Sequence, residues 1–127
     1  EDHHGLTHHR GDLDKIEKVT RLNRFHVEQF AHLLDRLATT ADGDGTLLDH
    51  AMVVYGGGIS DGNRHLHHDL PTLLAGRAGG RIRPGRHIWY PAETPMSNLF
   101  VTMLDHLGVA IDTVGDSTGG VEHLADV

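Results

Sequence analysis

Apolar residues recur at spacings of three and four across the first third of the chain. Ile16, Val19, Val27, Phe30, Leu34 and Leu37 form one row, with Asn23 set inside it. That period lines one face of a helix, so a helix is predicted over 12–40. Asp12 is suited to cap its start, and no Pro or Gly interrupts the stretch from 13 to 40. Asn23, if buried in the stripe, needs a polar partner, such as a backbone group of the histidine segment before it. His26 and His32 read as ordinary helix residues. Asp42-Gly43-Asp44-Gly45 ends the helix as a turn. It is not an EF-hand loop, because the sixth position from Asp42 is Leu47, where that loop needs glycine.

The pattern then changes. Ala51-Met52-Val53-Val54-Tyr55 is a short apolar run ahead of glycines, which predicts a buried strand. Leu70 to Gly76 predicts a second, with Pro71 near its start, where a missing N–H does least harm. Residues 1–11 and 77–85 read as loops, and 86–90 as a short edge strand. A second helix is predicted over 95–107. Thr94 is its cap, Pro95 its first residue and Gly108 its stop. Leu99, Met103, Leu104 and Leu107 form its apolar face, and the tail reads as loop. Two strands this poor in polar residues should be covered on both faces, as in an α/β sheet. Functional residues in such sheets lie beyond the carboxyl ends of strands. The 60–69 loop leaves the strand around Met52 at that end.

A chain of 127 residues fits one domain, 1–127. Its formal charge of −7 argues against a general nucleic-acid or anionic-membrane binder. No apolar run reaches the roughly 18 residues that a membrane span needs. The absence of cysteine excludes a thiolate metal site and a thiol nucleophile.

Candidate chemistry lies in the histidines, 13 in all. His3, His4, His8 and His9 form one cluster, and His65, His67 and His68 a second beside Asp61 and Asp69. Protonating all 13 histidines takes the formal charge from −7 to +6, so the sign reverses below about pH 6. Imidazole is also the commonest metal ligand. Asp and His without Cys suit zinc, manganese or iron, and calcium or magnesium where more oxygen is supplied. Gly56, Gly57, Gly58 and Gly62 permit tight backbone paths that could gather such donors. Adjacent side chains diverge, so one member of each His-His pair is expected to point inward. Asp69, next to Leu70-Pro71, more simply fixes the start of a strand. Neither a nucleophile elbow nor a GxxxxGK[ST] loop is present. Arg77, Arg81, Arg83 and Arg86 make the local basic patch, most simply a solvated loop face. A histidine cluster on a free terminus would be poorly held, so the chain reads as the C-terminal part of a longer protein. An affinity tag is disfavoured, because Gly5-Leu6-Thr7 interrupts the run.

Several segments, in one order, carry a resemblance over nearly the whole chain. They are His3-His4-Gly5-Leu6-Thr7-His8-His9, Gly58 to His65, Leu70-Pro71 through Gly76, Gly85 to Ile88, Thr94 to Leu99, and Gly115-Asp116-Ser117-Thr118-Gly119. Together they resemble the C-terminal third of the bacterial domain-of-unknown-function family 1552. That family is in turn similar to the alkaline phosphatase and sulfatase superfamily. There a strand ends in a Ser-Asp-His-Gly-type sequence whose Asp and His bind metal, and a later strand opens with Pro. In this chain Gly62-Asn63 stands where His-Gly would follow Asp61. The second ligand would then come from His65 or His67.

The resemblance implies the C-terminal part of an alkaline-phosphatase-like sheet with covering helices. It implies a divalent metal on Asp61 and His65, with His67 and one or two of His3, His4, His8 and His9 behind them. It further implies hydrolysis of small phosphate or sulfate esters, with Arg77 or Arg86 meeting the anion. The superfamily's nucleophile matches no residue here and would lie upstream. The family's proteins look exported, which implies a periplasmic or extracellular location. Two other readings stand beside the hydrolase. One is a non-catalytic exported metal-binding or scaffold protein, and the other is a pH-responsive surface without metal.

Overall fold

The computed structural model describes residues 2–90 and 93–126. A short helix α1 (His3–Thr7) leads into the long α2 (Leu13–Thr39). A small hairpin, β1 (Ala41–Asp42) with β2 (Gly45–Thr46), runs into the one-turn helix α3 (Leu47–His50). Strand β3 (Val53–Gly56), a long loop, and strand β4 (Thr72–Ala75) come next, and then α4 (Ser97–His106). The fold is mixed α and β, as the alternation of periods predicts.

Local chemistry explains the boundaries. The Asp12 side chain accepts from the Asp14 and Lys15 N–H groups, capping α2. Asp42 to Gly45 is the predicted turn, with Gly43 in the left-handed region at φ 58°. Thr46 and Asp49 cap α3 reciprocally, each side chain taking the other's backbone N–H. At the end of α4, Gly108 N–H bonds to the Asp105 carbonyl and Val109 N–H to that of Leu104, which is a Schellman stop. That helix begins at Ser97, two residues after Pro95, and no side chain caps it.

Strands β3 and β4 are antiparallel, in the register Val53 with Ala75 through Gly56 with Thr72. A loop without a crossover helix joins them, and such a connection returns the chain antiparallel. Phe30 of α2 stacks on Tyr55 of β3 with centroids 5.0 Å apart, and α1 and α3 also lie against α2. The strands are half-buried rather than covered on both faces. The core is small: Leu6, Ala78, Ile82 and Val101, with Ser97 and Asn98 as buried polar members.

Four expectations need correction. Residues 3–7 form a helix rather than loop, because Asp2 accepts the Gly5 N–H at 2.9 Å and supplies the missing cap. Asn23 is exposed and needs no buried partner. Val27 of the stripe is also substantially exposed, so the α2 stripe is only partly covered. Residues 86–90 form no strand, because their side chains are committed to the tail. There Arg86 donates to the His123 and Leu124 carbonyls, and Tyr90 hydroxyl to the Glu122 carbonyl. Ser97 and Asn98 hold the same tail through Asp116 and Thr118.

The turn carries a pH response. The His50 Nδ1 stands 2.9 Å from Asp42 and its Nε2 3.5 Å from Asp44. The hydrogen bond to Asp42, then the charges of Asp42, Asp44 and Asp49, raise the His50 pKa above the ordinary imidazole value. A raised folded pKa means stabilisation that is complete below the unfolded value and lost as pH rises through the folded one. An imidazole NMR titration should find the His50 midpoint above that of a denatured chain. His50→Gln should flatten the dependence of stability on pH between those two midpoints, and an unchanged slope would show the clamp to be energetically silent.

Candidate metal centre

The two histidine segments, more than fifty residues apart in the chain, are brought together. His4 lies in α1 and His8 is the residue that ends it, and their rings meet. Their ring centroids are 4.7 Å apart. The His65 ring stands 4.8 Å from His8 and 6.3 Å from His4. One member of each His-His pair therefore faces the second cluster. The others make further contacts: His3 meets His26 of α2 at 5.7 Å, and His9 Nδ1 accepts the Gly11 N–H at 3.1 Å.

The 60–66 loop is built to present His65. Ser60 N–H donates to the Leu66 carbonyl and Leu66 N–H to the Asp61 carbonyl, which pinches the loop at its neck. Asp61 Oδ1 accepts from the Asn63 and Arg64 N–H groups at 2.9 and 3.2 Å, and Oδ2 faces Arg64 Nε at 3.8 Å. The carboxylate thus organises its own loop as an Asx turn. His65 itself sits in the left-handed region at φ 55°. Such a conformation is unfavourable for a residue with a Cβ and is found preferentially at functional sites. His67 turns away and donates Nδ1–H to the Gly58 carbonyl at 2.6 Å, which leaves its Nε2 with a lone pair.

Two residues outside the candidate ligand set join the segments. Asn63 Oδ1 accepts the Arg10 N–H at 3.0 Å. Gly62 lies so close to α1 that an added Cβ would stand 2.7 Å from the Thr7 Cβ. The Gly62-Asn63 pair after Asp61 thus forms the clasp between the clusters. No spacing rule points to that role. The glycine and asparagine are visible in the sequence, but the partner across the clasp is not.

Beside the clasp lies an open cleft of about 720 Å³ lined by His3, His4, His9, Asp61 and His65, among others. Asn23 and Val19 of α2 form part of its wall. Arg77 and Arg86 do not line it: Arg77 faces Asp49 at 3.4 Å, and Arg86 binds the tail carbonyls. His8 is held below the usual imidazole range by partial desolvation first, then by His4, His65, Arg10 and Lys15. That favours the neutral ring, the form that ligates a metal. Among the described residues, no group of three or more His, Asp or Glu side chains stands in an ion-holding arrangement. No helix of the described residues is long and apolar enough to cross a membrane. No family model, curated protein or solved structure matches the chain.

Proposed function

We propose that the chain is a metal-binding α/β domain of the alkaline-phosphatase-like kind, serving hydrolysis of small phosphate or sulfate esters outside the cytoplasm. One observation carries the metal reading: His65 meets His4 and His8 although more than fifty residues of sequence separate it from them. A divalent ion in that position would polarise an ester oxygen and lower the pKa of a water or nucleophile. As they stand, no three side chains among the described residues hold an ion, but each of the three rings has a nitrogen that rotation would turn toward one, and the cavity beside His4 and His65 has room for a small ester. The resemblance to domain-of-unknown-function family 1552 supports the hydrolase part.

The finer fold reading is supported by surface. The chain exposes 8969 Å², whereas a compact monomer of 13.9 kDa exposes about 6,700 Å². Among the described residues, β3 and β4 pair only with each other, which leaves both outer edges open. Open edges and uncovered apolar side chains fit a ribbon belonging to a wider sheet, with Leu13, Phe25 and Leu73 facing further chain.

A second reading, a metal-binding or scaffold protein without catalysis, is favoured by the cavity lining. No Arg or Lys is among its residues, so an anionic ester would find no guanidinium or ammonium there. Two measurements separate the readings. Elemental analysis should find about one metal per chain, lost in His65→Ala. Unchanged metal content in that variant would overturn the metal reading. A screen of phosphate and sulfate monoesters with metal-replete protein should then give turnover that disappears in the same variant. Metal without turnover selects the scaffold.

A further inference from the structure

We propose that the protein ligands of this site are three imidazoles, His4, His8 and His65, and that it therefore takes a zinc-class ion and discriminates against magnesium and calcium. This rests on the metal-binding reading above and narrows both its donor set and its cation. The first argument is spacing. An imidazole nitrogen lies about 2.1 Å from zinc, which puts each ring centroid about 3.2 Å from the ion and tetrahedrally arranged centroids about 5 Å from one another. The observed separations are 4.7, 4.8 and 6.3 Å. Two pairs already stand near ligand spacing. Rotation of the rings about their own bonds, with closure of the third pair by about an ångström, brings the nitrogens to one point.

The second argument is that the other candidates make contacts away from these three rings. Asp61 Oδ1 is occupied by two backbone N–H groups, and its Oδ2 faces the Arg64 guanidinium. His9 Nδ1 accepts the Gly11 N–H, the His3 ring meets His26, and His67 Nδ1 is bonded to the Gly58 carbonyl. What converges is nitrogen. Magnesium and calcium require mostly oxygen ligands, six or more of them. Imidazole suits zinc, nickel and copper. Three protein nitrogens also leave one position open, as in catalytic rather than structural zinc sites. Asp61 becomes a positioning residue, holding the loop that presents His65.

The test is titration of the chain with Zn²⁺, Ni²⁺, Mg²⁺ and Ca²⁺ as the metals alone, monitored by calorimetry and by imidazole NMR. Zn²⁺ and Ni²⁺ should bind one per chain, at least about 100-fold more tightly than Mg²⁺ or Ca²⁺, and should shift the His4, His8 and His65 resonances. His4→Ala and His8→Ala should each weaken Zn²⁺ binding strongly. His65→Asn should do the same without a backbone penalty, because Asn tolerates the left-handed region. Asp61→Ala should weaken binding by loosening the loop, and Asp61→Asn should restore it to within about threefold, because the amide oxygen still accepts the two N–H bonds. If Asp61→Asn fails as completely as Asp61→Ala, or if Mg²⁺ binds as well as Zn²⁺, the three-imidazole site is wrong while metal binding survives. If none of the four ions binds, both readings fall.

Discussion

Alanine in place of Gly76 is expected to destabilise the chain by about 2–5 kcal/mol, combining left-handed backbone strain with overpacking. Gly76 comes directly after β4 at φ 97°, where the chain turns under the segment preceding β3. An added Cβ would stand 2.1 Å from the Ala51 carbonyl oxygen and 3.1 Å from that of Leu48. Both obstacles are backbone, and both carbonyls are tied: Leu48 accepts the Arg77 N–H and Ala51 the Ala78 N–H. Neither can retreat without breaking the bond that holds the crossing. Gly80 provides the control. Its φ of 94° is nearly the same, yet nothing lies within 4 Å of where its Cβ would go. Gly80→Ala should therefore show only the backbone strain, about 1–2 kcal/mol. Denaturant titration of the two variants side by side reads the collision as their difference. Equal losses would show that the close approach at Gly76 relaxes without cost.

The second large effect concerns the site. Gly62→Ala is expected to weaken metal binding by about 10- to 100-fold although no ligand is removed, the range seen for outer-shell changes. The new methyl would meet Thr7 at 2.7 Å, well inside van der Waals contact, and must push α1 away from the 60–66 loop by about an ångström. That displacement adds to the ångström by which His4 and His65 must already close, so the three nitrogens would no longer reach one ion. The Arg10–Asn63 hydrogen bond would open with them. Thr7→Gly removes the opposing atom, so the Gly62→Ala/Thr7→Gly double variant should recover most of the affinity. NMR contacts between the His8 and His65 rings give a readout independent of metal, and they should vanish in the single variant and return in the double. Intact ring contacts in Gly62→Ala would show that the clasp is not what joins the clusters.

The long helix was fully legible, because a three-four period over many residues and an acidic cap are local signals. Both strands were legible as apolar runs, and their observed bounds lie within a few residues of the predicted ones. Their pairing was not, because register and direction depend on the path of the loop between them. Helix α1 was missed for a different reason. Five residues rich in His and Gly carry no periodicity, and the Asp2 cap decides the matter alone. That omission mattered, since His8 is the residue that ends α1 and its ring meets that of His4. The 86–90 segment failed in the opposite sense. Its strand-like composition is overridden by Arg86 and Tyr90 bonds to the tail.

Composition and local order determined by themselves that this chain would be a helix, two apolar strands and a second helix, with its chemistry concentrated in imidazoles. Those properties need only near neighbours along the chain. Which histidines face one another, which carboxylate is committed to its own loop, and why glycine comes after Asp61 were decided by tertiary structure. Each depends on the approach of residues 4–10 to residues 61–65, and the contact that brings them together, Gly62 against Thr7 with Asn63 bonded to Arg10, is a property of two surfaces rather than of either segment.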